Sequence, residues 1–143
     1  MNCESKHCAA IALVVLMAAG CQDSGYNVAH VSGRVTLDGA PLTGAKVMFA
    51  PMAAEGGLKA GKAGLGVLDD AGEFVIGTYG SRDGAVVARH RVTLINRSSD
   101  STTGPRMARK RLLLPDVYDV VAGEDNAFEI AITSEMVARY GRN

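Results

Sequence analysis

The chain has 143 residues, 48% of them hydrophobic, and its 15 Lys and Arg are balanced by 15 Asp and Glu. That length suits one compact domain, and the composition is too apolar and too evenly charged for a disordered chain, which cannot bury enough surface to offset its ordering entropy. A neutral chain also lacks the basic excess by which nucleic-acid binders meet phosphate, so no nucleic-acid partner is expected.

The first predicted element is an apolar run at residues 8–19, CAAIALVVLMAA, which carries no charge. A spanning helix needs about 20 apolar residues to cross roughly 30 Å of hydrocarbon. The run therefore has the length of a signal-peptide core, preceded by a short, weakly positive stretch containing Lys6 and Glu4. Behind it, the small residues Ala18, Ala19 and Gly20 suit a narrow peptidase cleft, and the Cys21 thiol is a nucleophile able to take a diacylglyceryl group. The segment resembles the lipobox of bacterial lipoproteins, with Ala18-Ala19-Gly20-Cys21 standing where the family has a Leu-Ala-Gly-Cys-like tetrad. That resemblance implies a signal peptide of residues 1–20 and lipidation of Cys21. The other reading is an ordinary secretory signal cut at the same small residues, which leaves a free thiol in an oxidising compartment. Cys3 and Cys8 depart with the signal, so one cysteine remains and no disulfide or cysteine-based metal site is expected in the mature chain.

Residues 21–29 read as a polar tether and residues 30–133 as the domain. In VSGRVTL, Val31, Val35 and Leu37 share one face with Gly33, while Ser32, Arg34 and Thr36 share the other, the period of a half-buried strand. Gly33 on the inner face marks a close approach of another backbone. Asp38-Gly39 begins a turn, Gly44 releases the chain into a second strand with Ala45, Val47 and Phe49 inward, and Pro51 ends it. A long Gly/Ala loop leads to a strand near residues 64–68, and the turn Asp69-Asp70-Ala71-Gly72 precedes one that turns Phe74 and Ile76 inward. Residues 88–96 alternate with Val92 and Leu94 inward and Arg89, Arg91 and Thr93 outward. Residues 97–111 carry no period and read as a surface loop; LLLPDVY follows, and Phe128, Ile130 and Ile132 form the last inward row. Residues 134–143 are a tail that makes a short helical turn or frays. Short strands with Gly, Asp and Pro turns predict an all-β, antiparallel sandwich of about seven strands.

The order VSGRVTLDGAPLTGAKVMFAP, DDAGEFVIGTYG, GAVVARHRVTL, LLPDVY and NAFEIAIT resembles the small planctomycete lipoproteins that carry a carboxypeptidase regulatory-like, transthyretin-like domain. The resemblance spans residues 31–133. Its most specific parts are Leu37-Asp38-Gly39 with Pro41-Leu42 and Gly44-Ala45, and Asp70-Ala71-Gly72-Glu73-Phe74 at the family's hairpin. Where the family commonly has Pro-Gly before the fifth strand, this chain has Val87-Ala88. The resemblance implies a Greek-key, transthyretin-like sandwich without enzymatic activity.

No catalytic constellation emerges. The run from Gly56 to Lys62 fits G-x-x-x-x-G-K, but Ala63 follows where a nucleotide loop needs a hydroxyl for Mg²⁺, and no helix is predicted after it. Asp69, Asp70 and Glu73 cluster like cation ligands but run straight into a strand, which favours a hairpin turn. His30 and His90 are the only mature histidines and lack a metal-site spacing, so a structural role is expected for each. Neither a G-x-S-x-G elbow nor a cofactor-binding motif is present. Arg106, Arg109, Lys110 and Arg111 put four cations in six residues, a candidate contact for an anionic surface; the alternative is a solvated loop paired with Asp100 or Asp116.

The expectation is therefore an exported, cell-envelope lipoprotein, anchored to a membrane through Cys21, whose monomeric domain is a structural module or binds an envelope protein. No metal or cofactor is expected. A carbohydrate- or small-ligand-binding sandwich is the alternative. With no Trp, its stacking surface rests on Tyr26, Tyr79, Tyr118 and Tyr140.

Overall fold

The computed structural model describes residues 25–54, 57, 60–97 and 104–143, so the apolar leader, Ala18, Ala19, Gly20 and Cys21 lie outside the described residues. In chain order the strands are β1 (Val28–Ala29), β2 (Val31–Leu37), β3 (Ala40–Pro41), β4 (Ala45–Pro51), β5 (Gly64–Val67), β6 (Glu73–Val75), β7 (Ala85–Val86), β8 (Arg89–Asn96), β9 (Arg111–Asp119), β10 (Asn126–Ile132) and β11 (Gly141–Arg142), with one helix, α1 (Ser134–Tyr140), before β11. Seven of these strands have three or more residues, and each of the seven follows a pattern that the sequence shows.

The turns follow from their residues. β2 and β3 are joined by Asp38-Gly39 with φ of 50° and 86°, the positive pair that a two-residue primed hairpin needs. Before β6, Asp69 accepts backbone N–H bonds from Ala71 and Glu73 through one carboxylate oxygen, at 2.9 and 2.8 Å. The acidic cluster is thus a hairpin turn closed by its own side chain.

β11, β9, β8, β4 and β5 form a five-stranded antiparallel sheet in that order. In the other large sheet β10 pairs with one edge of β2 along its whole length, leaving β3 and β6 to share the other. The β2–β10 pairing is parallel, with Val31 opposite Asn126 and Leu37 opposite Ile132, whereas the sequence reading expected antiparallel strands throughout. Turn signals report only strands joined by a short hairpin; these two are joined by most of the domain, so nothing local fixes their relative direction.

The inward rows of the two sheets meet in a single core. Phe49 of β4 lies 6.1 Å from Phe74 and 5.7 Å from Phe128, ring centre to ring centre, and both of these belong to the facing sheet. Val31, Val35, Val47, Val92, Leu94 and Leu112 are fully buried around it. All the residues of this core cluster fall between Ala29 and Val137. Gly33 occupies the predicted close approach: a Cβ there would sit 2.1 Å from the Phe128 carbonyl oxygen and 2.9 Å from the Phe74 ring.

Both ends of the domain carry more structure than the sequence predicts, and of the two alternatives for residues 134–143 the helical one is found. Val28 and Ala29, read as tether, form β1 and pair with β7, and Ala29 is buried. Residues 134–143, read as a helical turn or a fraying tail, form α1 and then β11, which returns to pair with Leu112 and Arg111. Thr133 caps α1 by accepting from the Met136 N–H at 3.2 Å, and Val137 packs into the core. Asp38 accepts from both the backbone N–H and the hydroxyl of Ser134, tying the first hairpin to the helix start. Those two bonds hold the Asp38 carboxyl below its ordinary value.

Candidate functional site

The basic segment is built around an asparagine. At the end of β8 the Asn96 amide donates to the carbonyls of Met107 and Arg109, at 2.7 and 2.8 Å, and its backbone N–H donates to Lys110 O at 2.8 Å. These bonds fold residues 107–110 against the sheet, and Met107, read as part of a surface loop, is buried. Buried Met and Asn bonding explain why an aperiodic, polar stretch is held in place.

The four predicted cations consequently go different ways. The Arg106 guanidinium donates to Arg97 O at 2.6 Å. Arg109 is half-buried, with its aliphatic stem where a side chain at Gly141 would stand. Lys110 and Arg111 are exposed, and Arg111 belongs to β9, not to a loop, which corrects the sequence reading of residues 97–111. Arg97, Arg106, Lys110 and Arg111 line one open cleft of about 530 Å³ beside Met107, and Arg106 also borders the hollow near Val137 that Arg109 faces. The cluster seen in the sequence thus spans two hollows, with Arg106 on both, Lys110 and Arg111 in the cleft with Arg97, and Arg109 beside the helix. Asp100, one of the proposed partners, lies outside the described residues.

A second cleft, about 630 Å³, opens on the outward side of the sheet containing β2. Arg34, Glu73, Arg82 and Glu129 line it, and Arg34 is bonded to Glu73 at 2.9 Å. Its mixed charges and its exposed ion pair confer no strong preference for an ionic ligand. Close by, Asp83 gathers the N–H groups of Thr78, Tyr79 and Gly80 at 2.7, 3.0 and 2.8 Å. Burial works against its ionisation, yet these bonds leave the carboxyl below its ordinary value.

The histidines take opposite positions. His30 is exposed between β1 and β2, whereas His90 is fully buried on the inward side of β8. The His90 Nε2–H donates to Val86 O at 2.7 Å, while its Nδ1 has no hydrogen-bond partner among the described residues. Burial pushes the ring below its ordinary pKa, against the pull of the Val86 and Phe49 carbonyls, so it is a neutral core residue at pH 7.

Among the tyrosines, Tyr26 and Tyr79 stack on each other with ring centres 6.2 Å apart. Tyr118 turns inward to meet Phe49 and Phe128, and burial, then the charge of Asp116, raise its hydroxyl above the ordinary value. Of the run resembling a nucleotide loop, Gly56, Leu58 and Lys59 lie outside the described residues, and the chain continues into β5. Among the described residues, no three His, Cys, Asp or Glu side chains are grouped to hold a metal ion, and no helix is long and apolar enough to cross a membrane. Comparison of the chain with models of protein families, with curated proteins and with solved structures gives no match.

Proposed function

We propose that the chain is an exported cell-envelope lipoprotein, held at a membrane by acyl chains on Cys21, whose β domain is a non-enzymatic structural or protein-interaction module. The observation that carries this reading is the uncharged run of residues 8–19 closed by Ala18-Ala19-Gly20-Cys21. A few residues later the packed domain begins at Val28–Ala29, a spacing that suits a domain held close to its anchor. Two acyl chains give stable membrane residence, since each buried CH₂ contributes about 0.8 kcal/mol.

For the domain, we infer the transthyretin-like, Greek-key sandwich of carboxypeptidase regulatory-like modules. Two facing sheets and seven strands of three or more residues support this, as do hairpin turns at Asp38-Gly39 and Asp69 to Gly72, where the resemblance is most specific. A neutral His90 held in the core and carboxylates committed to turns leave the module suited to recognition. Its partner in this reading is an envelope protein, not nucleic acid.

Palmitate labelling of cells expressing the chain tests the anchor. The wild type takes label and needs detergent for extraction, while Cys21→Ala takes none. Equal labelling of the two forms, or an intact Met1 on protein purified from the envelope, overturns the reading.

A further inference from the structure

The register of the five-stranded sheet assembles a second feature from residues scattered along the chain. Strand alternation that sends Val47, Phe49, Val92 and Leu94 into the core sends their neighbours outward. Across β5, β4, β8 and β9 these neighbours fall into rows. One row is Leu65, Met48, Thr93 and Leu113; the next is Val67, Lys46, Ile95 and Arg111. Beyond the first row, Ala50, Arg91 and Val117 form a third.

The face is both apolar and cationic. Leu65, Val67, Leu113 and Val117 are 48%, 50%, 42% and 44% exposed. Lys46, Arg91 and Arg111 are exposed, and none of the three has an ion pair among the described residues. Asp119 stands opposite Arg89 at the end of the sheet, and Asp116 lies in the bulge where β9 slips against β8. The central rows are therefore positive without an acid among them.

We propose that this outward face docks flat on the anionic phospholipid surface of a bilayer. Charge complementarity selects the occupant. An apolar protein surface would strip water from Lys46, Arg91 and Arg111 without replacing it, at a large desolvation cost. A headgroup layer satisfies both kinds of side chain at once: phosphate oxygens accept from the cations, and Leu and Val enter the boundary with the acyl chains. The long stems of Lys and Arg also lie along apolar neighbours while their charged ends reach outward. The docking does not depend on acylation of Cys21, so the two readings fail separately.

A chain of residues 22–143, which retains the whole core cluster and lacks Cys21, is floated with vesicles of phosphatidylcholine alone or mixed with phosphatidylglycerol, at low ionic strength. The expected result is binding to the mixed vesicles only, reversed by salt. Arg91→Glu with Arg111→Glu is expected to lower the partition coefficient by roughly tenfold or more. Lys62→Glu with Arg139→Glu, the same charge change at residues outside these rows, leaves it unchanged. A circular-dichroism melt checks that each form folds. Should the reversal pair fail to fold, Arg91→Gln with Arg111→Gln takes its place, with the same direction expected. No binding to the mixed vesicles, equal binding to phosphatidylcholine alone, or equal loss from the on-face and off-face pairs overturns the proposal.

Discussion

His90 shows how a single buried side chain can set the response of the domain to acid. The Val86 carbonyl only accepts, so its bond to Nε2 places the proton there and leaves Nδ1 bare inside the core. In the unfolded chain the ring returns to an ordinary pKa of about 6.5. Below that value the unfolded state binds a proton that the folded state refuses, because burial lowers the folded pKa. Stability contributed by the neutral ring is therefore fully present above about pH 6.5 and falls on acidification, by at most about 1.4 kcal/mol per pH unit. The carboxyls of Asp38 and Asp83 are lowered and titrate below this window. Thermal melts between pH 7.5 and 5.5 check the sign: the wild type loses melting temperature, and His90→Gln, which keeps a donor for Val86 O, gives a flatter profile. A wild-type profile as flat as that of the variant would show that the ring takes up its proton in the folded state as readily as in the unfolded one.

At the scale of elements, the parallel β2–β10 pair rests on the missing side chain of Gly33. A methyl group there meets the Phe128 carbonyl of the partner strand and the Phe74 ring, and the backbone contact has no rotamer by which to move aside. Gly33→Ala is therefore expected to cost about 3 kcal/mol or more in urea unfolding, the upper range for overpacking. Gly123→Ala, in an open turn with φ of 74° and nothing within 4 Å, is expected to cost only about 1 kcal/mol of backbone strain. Gly33 was legible in the sequence because it interrupts the inward row of Val31, Val35 and Leu37. Its partner was not, because an alternating pattern states which way a side chain points but not which strand lies alongside. The same limit hid the membrane-docking face proposed above, since Arg91 meets Val117 and Thr93 meets Leu113 only after β8 and β9 are set in register. β1 and β11 are two residues long and carry no readable period; pairing with β7 and β9 defines them. Arg106, Arg109, Lys110 and Arg111 looked like one patch because adjacency in sequence was the only distance available. Asn96, fourteen residues before Lys110, holds the backbone of Met107, Arg109 and Lys110 in the path along which the four side chains diverge.

For the molecule as a whole, the two sheets are coupled through an aromatic cluster centred on Phe49, to which Tyr118 adds its own contact with Phe128 at 5.4 Å. Phe49 on β4 reaches Phe74 and Phe128 of the facing sheet, and its own sheet contributes His90 and Tyr118 at ring distances of 5.7 and 6.1 Å. A ring contacted from both layers makes the opening of either layer costly to the other, so the domain is expected to unfold in one cooperative step. Phe49→Ala removes the centre of this cluster and leaves a cavity between the layers, at an expected cost of about 4 kcal/mol. That is a large share of the roughly 5–15 kcal/mol by which a domain is stable. Hydrogen exchange discriminates coupling from local loosening: in the variant, amides of β2 and β8 lose protection together and by similar factors. Loss confined to β4, β8 and β9, with β2 and β10 still protected, would mean that the sheets open independently and that Phe49 stabilises only its own layer.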